Sequence, residues 1–182
     1  NGLEHSLFAD GAKLMDAIAE REFDLEHEGG EYDNGLIFSD DAVEQCTGDA
    51  EYACLTFNTY KSMSFDYNAD DGLYYANQYG DKYIDENTGE QVSFTNLLFL
   101  KTAISIVDGY GRLDVTTVGS GEGWFCTGGK WVEITWERDD EFGPFHYYLA
   151  DGSELSLAPG HTYVGIMSDD ETATVSFTRE EA

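Results

Sequence analysis

Basic residues are scarce in this chain of 182 residues. It contains 9 Lys and Arg against 37 Asp and Glu, and its formal net charge is −28. A field of this sign repels phosphate backbones and anionic lipid headgroups, so it counts against binding to nucleic acid or to an anionic membrane surface. An acidic surface most often serves solubility, and less often it captures a cationic ligand.

Long apolar runs and a leader sequence are also missing. No segment approaches the roughly 18 apolar residues that a membrane-spanning helix needs. The chain begins at Asn1 without a Met, and neither the basic nor the apolar stretch of a signal sequence follows. We therefore expect a soluble fragment whose original N-terminus has been removed.

Cysteine is rare, and no CxxC spacing supports a zinc or redox site. Cys46 and Cys54 are close enough in sequence for a local disulfide in an oxidising compartment, which would stabilise the fold by about 2–3 kcal/mol in the chain-entropy model. The alternative is a pair of small buried thiols. The third cysteine, Cys126, is expected to pack within a strand.

The abundant residues favour strands joined by tight turns. The chain has 20 Gly, 12 Tyr and 11 Phe, and aromatic residues are common in strands. One helix is predicted from Gly11 to Arg21, with Asp10 as its N-cap. Leu97 to Val107 is almost continuously apolar, which predicts a strand that is buried on both faces.

Turn signals recur through the rest of the chain, at Gly128-Gly129, Asp151-Gly152 and Pro159-Gly160 among others. Residues 1–51 are predicted to form a helix-containing N-terminal segment, and residues 52–182 a mainly antiparallel β domain. The predicted fold class is α+β, mainly β, with an antiparallel β-sandwich or barrel-like sheet and an N-terminal helix.

Motifs of known catalytic or cofactor sites are absent from the sequence. It has no Walker loop, dinucleotide fingerprint, HExxH or GxSxG, so we predict no catalytic residue and no cofactor. Acidic pairs such as Asp139-Asp140 fall mostly at predicted turns, where Asp commonly caps backbone N–H groups. His146 and His161 lie on predicted neighbouring strands and could converge, but two histidines alone predict a metal site only weakly.

The stretch SFDYNADDGLYYA begins like a calcium loop, because Asp66, Asn68 and Asp70 alternate. An EF-hand loop needs Gly at its sixth position and Glu at its twelfth. Counted from Asp66, those positions hold Asp71 and Asn77. The stretch is therefore predicted to be a hairpin turn, and its three alternating residues are only weak metal ligands.

Aromatic side chains offer the best candidates for ligand contacts. Rows of Trp and Tyr on a sheet can stack against sugar rings, although packing in a core is the more frequent explanation of such rows. The candidate ligand-binding residues are Trp124, Trp131, Trp136, Tyr147, Tyr163, His146 and His161.

Four blocks in order resemble the C-terminal domain of the YerB-like lipoproteins, a family of unknown function in Gram-positive bacteria. They are the D-x-x-x-x-G-L-Y turn, the D-x-x-T-G turn before an N-hydrophobic strand, the G-x-G…G-K-W…W segment, and the closing D-G…L-x-P-G-x-T segment. Residues 1–51 resemble the tail of that family's N-terminal domain.

The resemblance implies an extracytoplasmic protein, held at the membrane by a lipid on a residue outside this sequence. It also makes the Cys46–Cys54 disulfide more plausible. We expect a non-catalytic binding module whose partner is a cell-envelope polysaccharide or peptide. The alternatives are a carboxylate-dependent hydrolase of envelope polymers, which needs two carboxylates facing one cleft, and a structural domain that docks on its own N-terminal half.

Overall fold

The computed structural model of the chain describes residues 10–25 and 33–179. The chain forms two compact units, Asn1–Asp33 and Asn34–Ala182. Residues 34–51, which the sequence analysis places in the N-terminal segment, supply two short strands to the larger unit. Across the described residues, no helix is both long and apolar enough to cross a membrane.

The smaller unit contains helix α1, Gly11–Glu20. The backbone N–H of Lys13 donates to Asp10 Oδ1 over 2.9 Å, and this bond lowers the pKa of the Asp10 carboxyl below its usual value. A carboxylate in this position satisfies one of the unpaired donors at a helix start. The predicted helix and its cap are confirmed.

Short strands make up most of the larger unit, with a 3-10 helix at Ala42–Gln45. The strands are β1 (Ile37–Phe38), β2 (Gly48–Asp49), β3 (Tyr52–Asn58), β4 (Lys61–Asn68), β5 (Leu73–Gln78), β6 (Asp81–Lys82), β7 (Ser93–Phe94), β8 (Asn96–Thr102), β9 (Ile104–Ile106), β10 (Leu113–Val115), β11 (Gly119–Thr127), β12 (Lys130–Arg138), β13 (His146–Tyr148), β14 (Ser156–Leu157), β15 (Thr162–Ser168) and β16 (Thr174–Ser176).

Two larger sheets and two small ribbons result. Sheet I has the order β13-β12-β11-β8-β15, with β2 added to β12, and sheet II has the order β16-β3-β4-β5-β6, with β7 added to β5. The ribbons are β1–β14 and β9–β10. Only β8–β15 and β1–β14 are parallel among the strand pairs of the described residues. The mainly β, mostly antiparallel prediction is confirmed, and none of these sheets closes into a barrel.

The inner core lies between the two sheets. Alternation along β3 and β4 turns Leu55 and Phe65 inward, where they pack with Leu97 and Phe99 of β8. The ring of Phe65 lies 4.9 Å from that of Tyr163 on β15. This core joins sheet I to sheet II.

A second core covers the opposite face of sheet I. Leu98, Leu100, Phe125 and Trp136 point to this side and are buried there. Strand β8 is therefore buried on both faces, as predicted from its apolar run. The prediction extended this strand too far, because the buried strand ends at Thr102 and β9 beyond it is largely exposed.

Two predicted hairpin turns are confirmed. Gly128 and Gly129 have φ values of +58° and +75°, the conformation that a two-residue hairpin turn needs. In the β4–β5 turn, Gly72 has φ +75° and its N–H donates to Asn68 O over 2.9 Å. Asn68 Oδ1 also accepts the N–H of Asp70, so the stretch that resembled a calcium loop is a hairpin turn.

The predicted Cys46–Cys54 disulfide is not formed in the structure, where all three cysteines are free thiols. Cys46 is buried in the second core, outside sheet I. Cys54 alternates with Ala53 and Leu55 along β3 and therefore points away from the inner core. Burial raises the pKa of Cys46 to about 11, which keeps this thiol protonated and unreactive at neutral pH.

Candidate functional site

Sheet II covers only part of the inner face of sheet I. Phe99 and Cys126 on this face are buried under sheet II, whereas Glu122 and Glu133 on the same face are exposed. The uncovered part is called the open face here. By strand register it comprises Lys101, Glu122, Trp124, Glu133, Thr135, Glu137, His146 and Tyr148.

Carboxylates are crowded on the open face. Glu133 of β12 lies opposite Trp124 of β11, and Thr135 lies opposite Glu122. Glu122 is therefore the diagonal neighbour of both Glu133 and Glu137, at roughly 7–8 Å between Cα atoms. Like charges so placed repel one another, and a bound cation would relieve that repulsion.

Trp124 is the aromatic centre of the open face. Its side chain is half-buried and packs against the edge of the inner core. The Lys101 ammonium lies 5.6 Å from the centre of the Trp124 ring, within the range of a cation–π contact. Lys101 forms no salt bridge within the described residues, so the observed contact of its ammonium group is the cation–π contact with the Trp124 ring. An ammonium group therefore fits against this ring.

Two adjoining depressions follow the open face. One of about 250 Å³ is lined by Glu122, Trp124, Glu133 and Thr135. The second, of about 420 Å³, is lined by Thr135, Glu137 and Tyr148. Both also contact Ala150, in the turn that follows β13. Together they form a shallow surface trough, open enough for an extended chain rather than for a small enclosed molecule.

Tyr148 supplies a hydrogen-bond donor at the end of this trough. Partial desolvation, with the nearby charges of Glu137, Glu154 and Asp139, raises the pKa of the Tyr148 phenol above its ordinary value. The phenol therefore stays protonated at neutral pH and can donate to a ligand oxygen.

Four of the sequence-predicted aromatic residues are placed in packing contacts. Trp131 stacks on Phe177 with ring centres 4.4 Å apart, and Trp136 Nε1 donates to Lys101 O over 3.0 Å within the second core. Burial raises the pKa of Tyr147 and of Tyr163 to about 12. Of the predicted aromatic set, only Trp124 belongs to the open face.

The two predicted histidines do not converge. His146 is on β13 and His161 directly precedes β15, and these strands form opposite edges of sheet I. Four strand spacings separate them, or about 19 Å. His146 belongs to the open face beside Glu137, whereas the backbone oxygen of His161 accepts the N–H of Thr95 just before the paired strands β15 and β8 begin.

Asp66, Asn68 and Asp70 are the weak candidates for metal ligands, and the side chains of the first two have other partners. Asp66 pairs with Arg179, and Asn77 Nδ2 donates to its other oxygen over 2.9 Å. Asn68 Oδ1 accepts the backbone N–H of Asp70 within the hairpin turn. In the described ranges, no group of three or more His, Cys, Asp and Glu side chains is arranged to hold a metal ion.

Several residues of the open face were missed by the sequence analysis, notably Lys101, Glu133, Thr135 and Glu137. A signal for three of them is present in KWVEITWER, where Glu133, Thr135 and Glu137 alternate with apolar residues. That alternation identifies a polar strand face, but it does not show that the neighbouring strands leave this face uncovered.

Residues 53–164 match a family described as "Protein of unknown function (DUF3048) C-terminal domain". "Putative lipoprotein YerB" of Bacillus subtilis (strain 168) is 25% identical over 122 residues, which cover 66% of this chain and 36% of that protein. The crystal structure of YerB from B. subtilis matches with a TM-score of 0.70 at 22% identity, covering 91% of this chain and 53% of that one.

This chain therefore spans about half or less of either relative's length. The structural likeness shows a shared fold, and the YerB-like resemblance deduced from the sequence is confirmed. Because the family match extends over more than half of the chain, the protein belongs to the DUF3048 family and contains its C-terminal domain.

Proposed function

We propose that this protein is a non-catalytic binding module of the cell envelope, and that the open face holds its ligand. The observation that carries the proposal is Trp124, half-buried beneath an ammonium group and opposite the carboxylate of Glu133. Aromatic rings flanked by hydrogen-bonding groups provide both apolar area and orientation for a polymer chain.

The charges on the open face indicate what the ligand carries. Three carboxylates, on Glu122, Glu133 and Glu137, face one ammonium on Lys101. A ligand with amino groups would be attracted by the net charge of −28 and would reduce repulsion within the face. An amine-bearing envelope polysaccharide or a basic peptide stretch meets this requirement.

An extracytoplasmic location, with a lipid anchor outside this sequence, is part of the same proposal. Its support is the name of the B. subtilis relative, which describes that protein as a lipoprotein. An envelope polymer would then be the ligand within closest reach of a module tethered at the membrane.

Sedimentation with purified Gram-positive cell walls tests the proposal. We expect the wild-type protein to bind the walls, and Trp124→Ala to weaken binding by about tenfold or more, as loss of a stacked aromatic anchor does. Raising the salt concentration should weaken wild-type binding. Tyr60→Ala is the matched control, because this tyrosine is 89% exposed in the β3–β4 turn. Equal binding by wild type and Trp124→Ala, or no binding by either, would overturn the proposal.

The two alternatives from the sequence have weaker support. Glu122 and Glu133 line one depression, which meets the need of a hydrolase for two carboxylates facing one cleft, but that need is not the only one. A hydrolase needs a carboxylic acid whose pKa is raised, usually by burial, and no Asp or Glu side chain within the described ranges is buried. Docking on an N-terminal half would use apolar surface on α1, where Leu14 and Met15 are each 53% exposed, but no observation indicates what would cover them.

A further inference from the structure

A second polar surface lies on the outer side of sheet II. Leu55 and Phe65 point into the inner core, so the residues that alternate with them point outward. In three rows across the strands, the outward residues are Tyr52, Asp66 and Tyr75; then Ser176, Cys54, Ser64 and Asn77; then Thr174, Thr56 and Ser62. We call these ten residues the hydroxyl face.

The ten residues of the hydroxyl face include few charges for a strongly acidic protein, although the Asp71 carboxylate borders the face and accepts a hydrogen bond from the Tyr75 phenol over 2.7 Å. Asp66 is its only acidic residue, although Asp and Glu make up 37 of the 182 residues in the chain. Arg179 pairs with Asp66 and neutralises this one charge. If solubility alone had shaped this face, we would expect free carboxylates here as on the open face.

Side chains on the hydroxyl face are held in place by one another. The Arg179 guanidinium donates to Asp66 and lies 4.7 Å from the ring centre of Tyr52. Asn77 Nδ2 donates to Asp66 over 2.9 Å, and Gln91 Nε2 donates to Asn77 Oδ1 over 3.2 Å. Bonds between side chains are a minority of protein hydrogen bonds, and a continuous series of them orients planar polar groups before any ligand arrives.

A depression of about 360 Å³ lies at the β3–β16 side of this face. Its lining consists of one phenol, one guanidinium, one thiol and four aliphatic hydroxyl groups, from Tyr52, Arg179, Cys54, Thr56, Thr174, Ser176 and Thr178. Nearly every group in it can donate or accept a hydrogen bond, and no aliphatic side chain offers a pocket for an apolar group.

We propose that the hydroxyl face binds a neutral saccharide. Hydroxyl groups on a sugar ring can pair with the carboxylate, amide and guanidinium groups of Asp66, Asn77 and Arg179, which are already oriented. The apolar side of the ring can lie on Tyr75, whereas the Tyr52 ring already carries the Arg179 guanidinium. A peptide fits this face less well, because strands β3, β4 and β5 are paired with neighbours on both sides, and the edge strand β16 is only three residues long. This site is separate from the open face.

Titration of the isotope-labelled chain with neutral oligosaccharides, followed by amide NMR shifts, tests the proposal. The probes are the hexamers of N-acetylglucosamine and of glucose. We expect saturable shifts confined to β3, β4, β5 and β16 with at least one probe. Asn77→Ala, which removes an oriented amide, should weaken binding by about tenfold, and Ser64→Trp should block it by filling the middle of the face.

Matched variants separate this site from the open face. Trp124→Ala should leave oligosaccharide binding unchanged, and added salt should have little effect because the ligand is neutral. Thermal unfolding shows whether Asn77→Ala and Ser64→Trp each remain folded. Oligosaccharide binding is then measured from the amide shifts of whichever variant is folded, so one folded variant is enough for the test. No saturable shifts up to about 10 mM of both probes, or shifts that persist in folded Ser64→Trp or vanish in Trp124→Ala, would overturn the proposal. Loss of cell-wall binding in Trp124→Ala, with oligosaccharide binding retained, would not contradict the proposal for the hydroxyl face.

Discussion

The open face of sheet I and the hydroxyl face of sheet II are both polar surfaces of β-sheets, but they differ in charge and in internal order. On the open face, Glu122 has two other glutamates as diagonal neighbours. On the hydroxyl face, Asp66 is paired with a cation and receives a second hydrogen bond from an amide. One surface keeps unsatisfied charge for a partner, while the other satisfies its charge internally and presents oriented neutral groups.

The difference shows that net charge alone says little about a particular surface of this protein. A formal charge of −28 implies a similarly acidic surface throughout, yet only one of the ten residues of the hydroxyl face is acidic, and Arg179 pairs with it. Substitutions that change one face and spare the other can therefore separate the two.

The largest effect on stability is expected from Phe65→Ala, which removes one of the large side chains packed between the two sheets. Phe65 is fully buried and its ring packs near Phe99 and Tyr163 of sheet I. We expect the free energy of unfolding to fall by about 3–5 kcal/mol, so that both faces lose their order together. Urea unfolding measures this, with Tyr60→Ala as a surface control that changes stability by about 0.5 kcal/mol or less. Loss of order on one face alone would contradict a shared core.

Trp131→Ala and Trp124→Ala compare two tryptophans on the same side of sheet I. Trp131 stacks on Phe177 and lies close against Gly48, so its loss should cost about 2–3 kcal/mol. Trp124 is at the edge of the core, and its loss should cost about 1 kcal/mol while affecting ligand binding more strongly. Thermal or urea unfolding of both variants measures which loses more unfolding free energy. Equal losses would contradict the position of Trp124 at the uncovered edge of the core.

Asp66→Asn tests the charge that the hydroxyl face satisfies internally. The variant removes the ion pair with Arg179, and both side chains are partly exposed, so we expect a loss of about 0.5 kcal/mol in unfolding free energy. The loss should shrink in high salt because the pair is screened. An increase in stability would show that the Asp66 carboxylate destabilises the fold despite its pairing with Arg179.

Glu122→Gln combined with Glu133→Gln should have the opposite sign. Removing two diagonal like charges from the open face should raise stability by about 0.3 kcal/mol at low ionic strength. The gain should disappear in about 1 M salt. Chemical unfolding at two salt concentrations measures it, and a destabilised variant would mean that these carboxylates have stabilising partners.

Asp170→Asn tests the turn that connects β15 of sheet I to β16 of sheet II. Hydrogen bonds from the Thr172 and Ser168 hydroxyls lower the pKa of Asp170 from 3.8 to about 2. A carboxyl with a lowered pKa in the folded state stabilises the protein above its ordinary pKa, and this contribution disappears as the pH falls toward 2. The variant should therefore lose part of the wild type's acid sensitivity between about pH 4 and pH 2, as measured by unfolding midpoints. An unchanged dependence of stability on pH would contradict a stabilising role for the ionised Asp170 carboxylate.

Local features were predictable from the sequence. The cap at Asp10, the glycines of the β11–β12 hairpin and the turn at Asn68–Gly72 each depend on a few neighbouring residues. The strands themselves follow from alternation, which is also a local signal.

Long-range features were not predictable in the same way. Trp124 and Trp131 are the same residue type on the same side of neighbouring strands, and they differ only because sheet II covers one of them. The separation of His146 from His161 likewise follows from strand order, and their positions along the chain carry no information about that order. The candidate site was therefore found only in part, through Trp124 and His146.

Because sheet II lies over part of the inner side of sheet I, its own outer side and the uncovered part of sheet I look toward the same side of the domain. They form a step whose height is about 10 Å, the usual thickness of one packed sheet. A single long polymer that carries both amino groups and neutral sugar rings could therefore rest on both levels at once. Two weak contacts made by one chain reinforce each other through high effective concentration, so short fragments of such a polymer would bind far less tightly than the intact material.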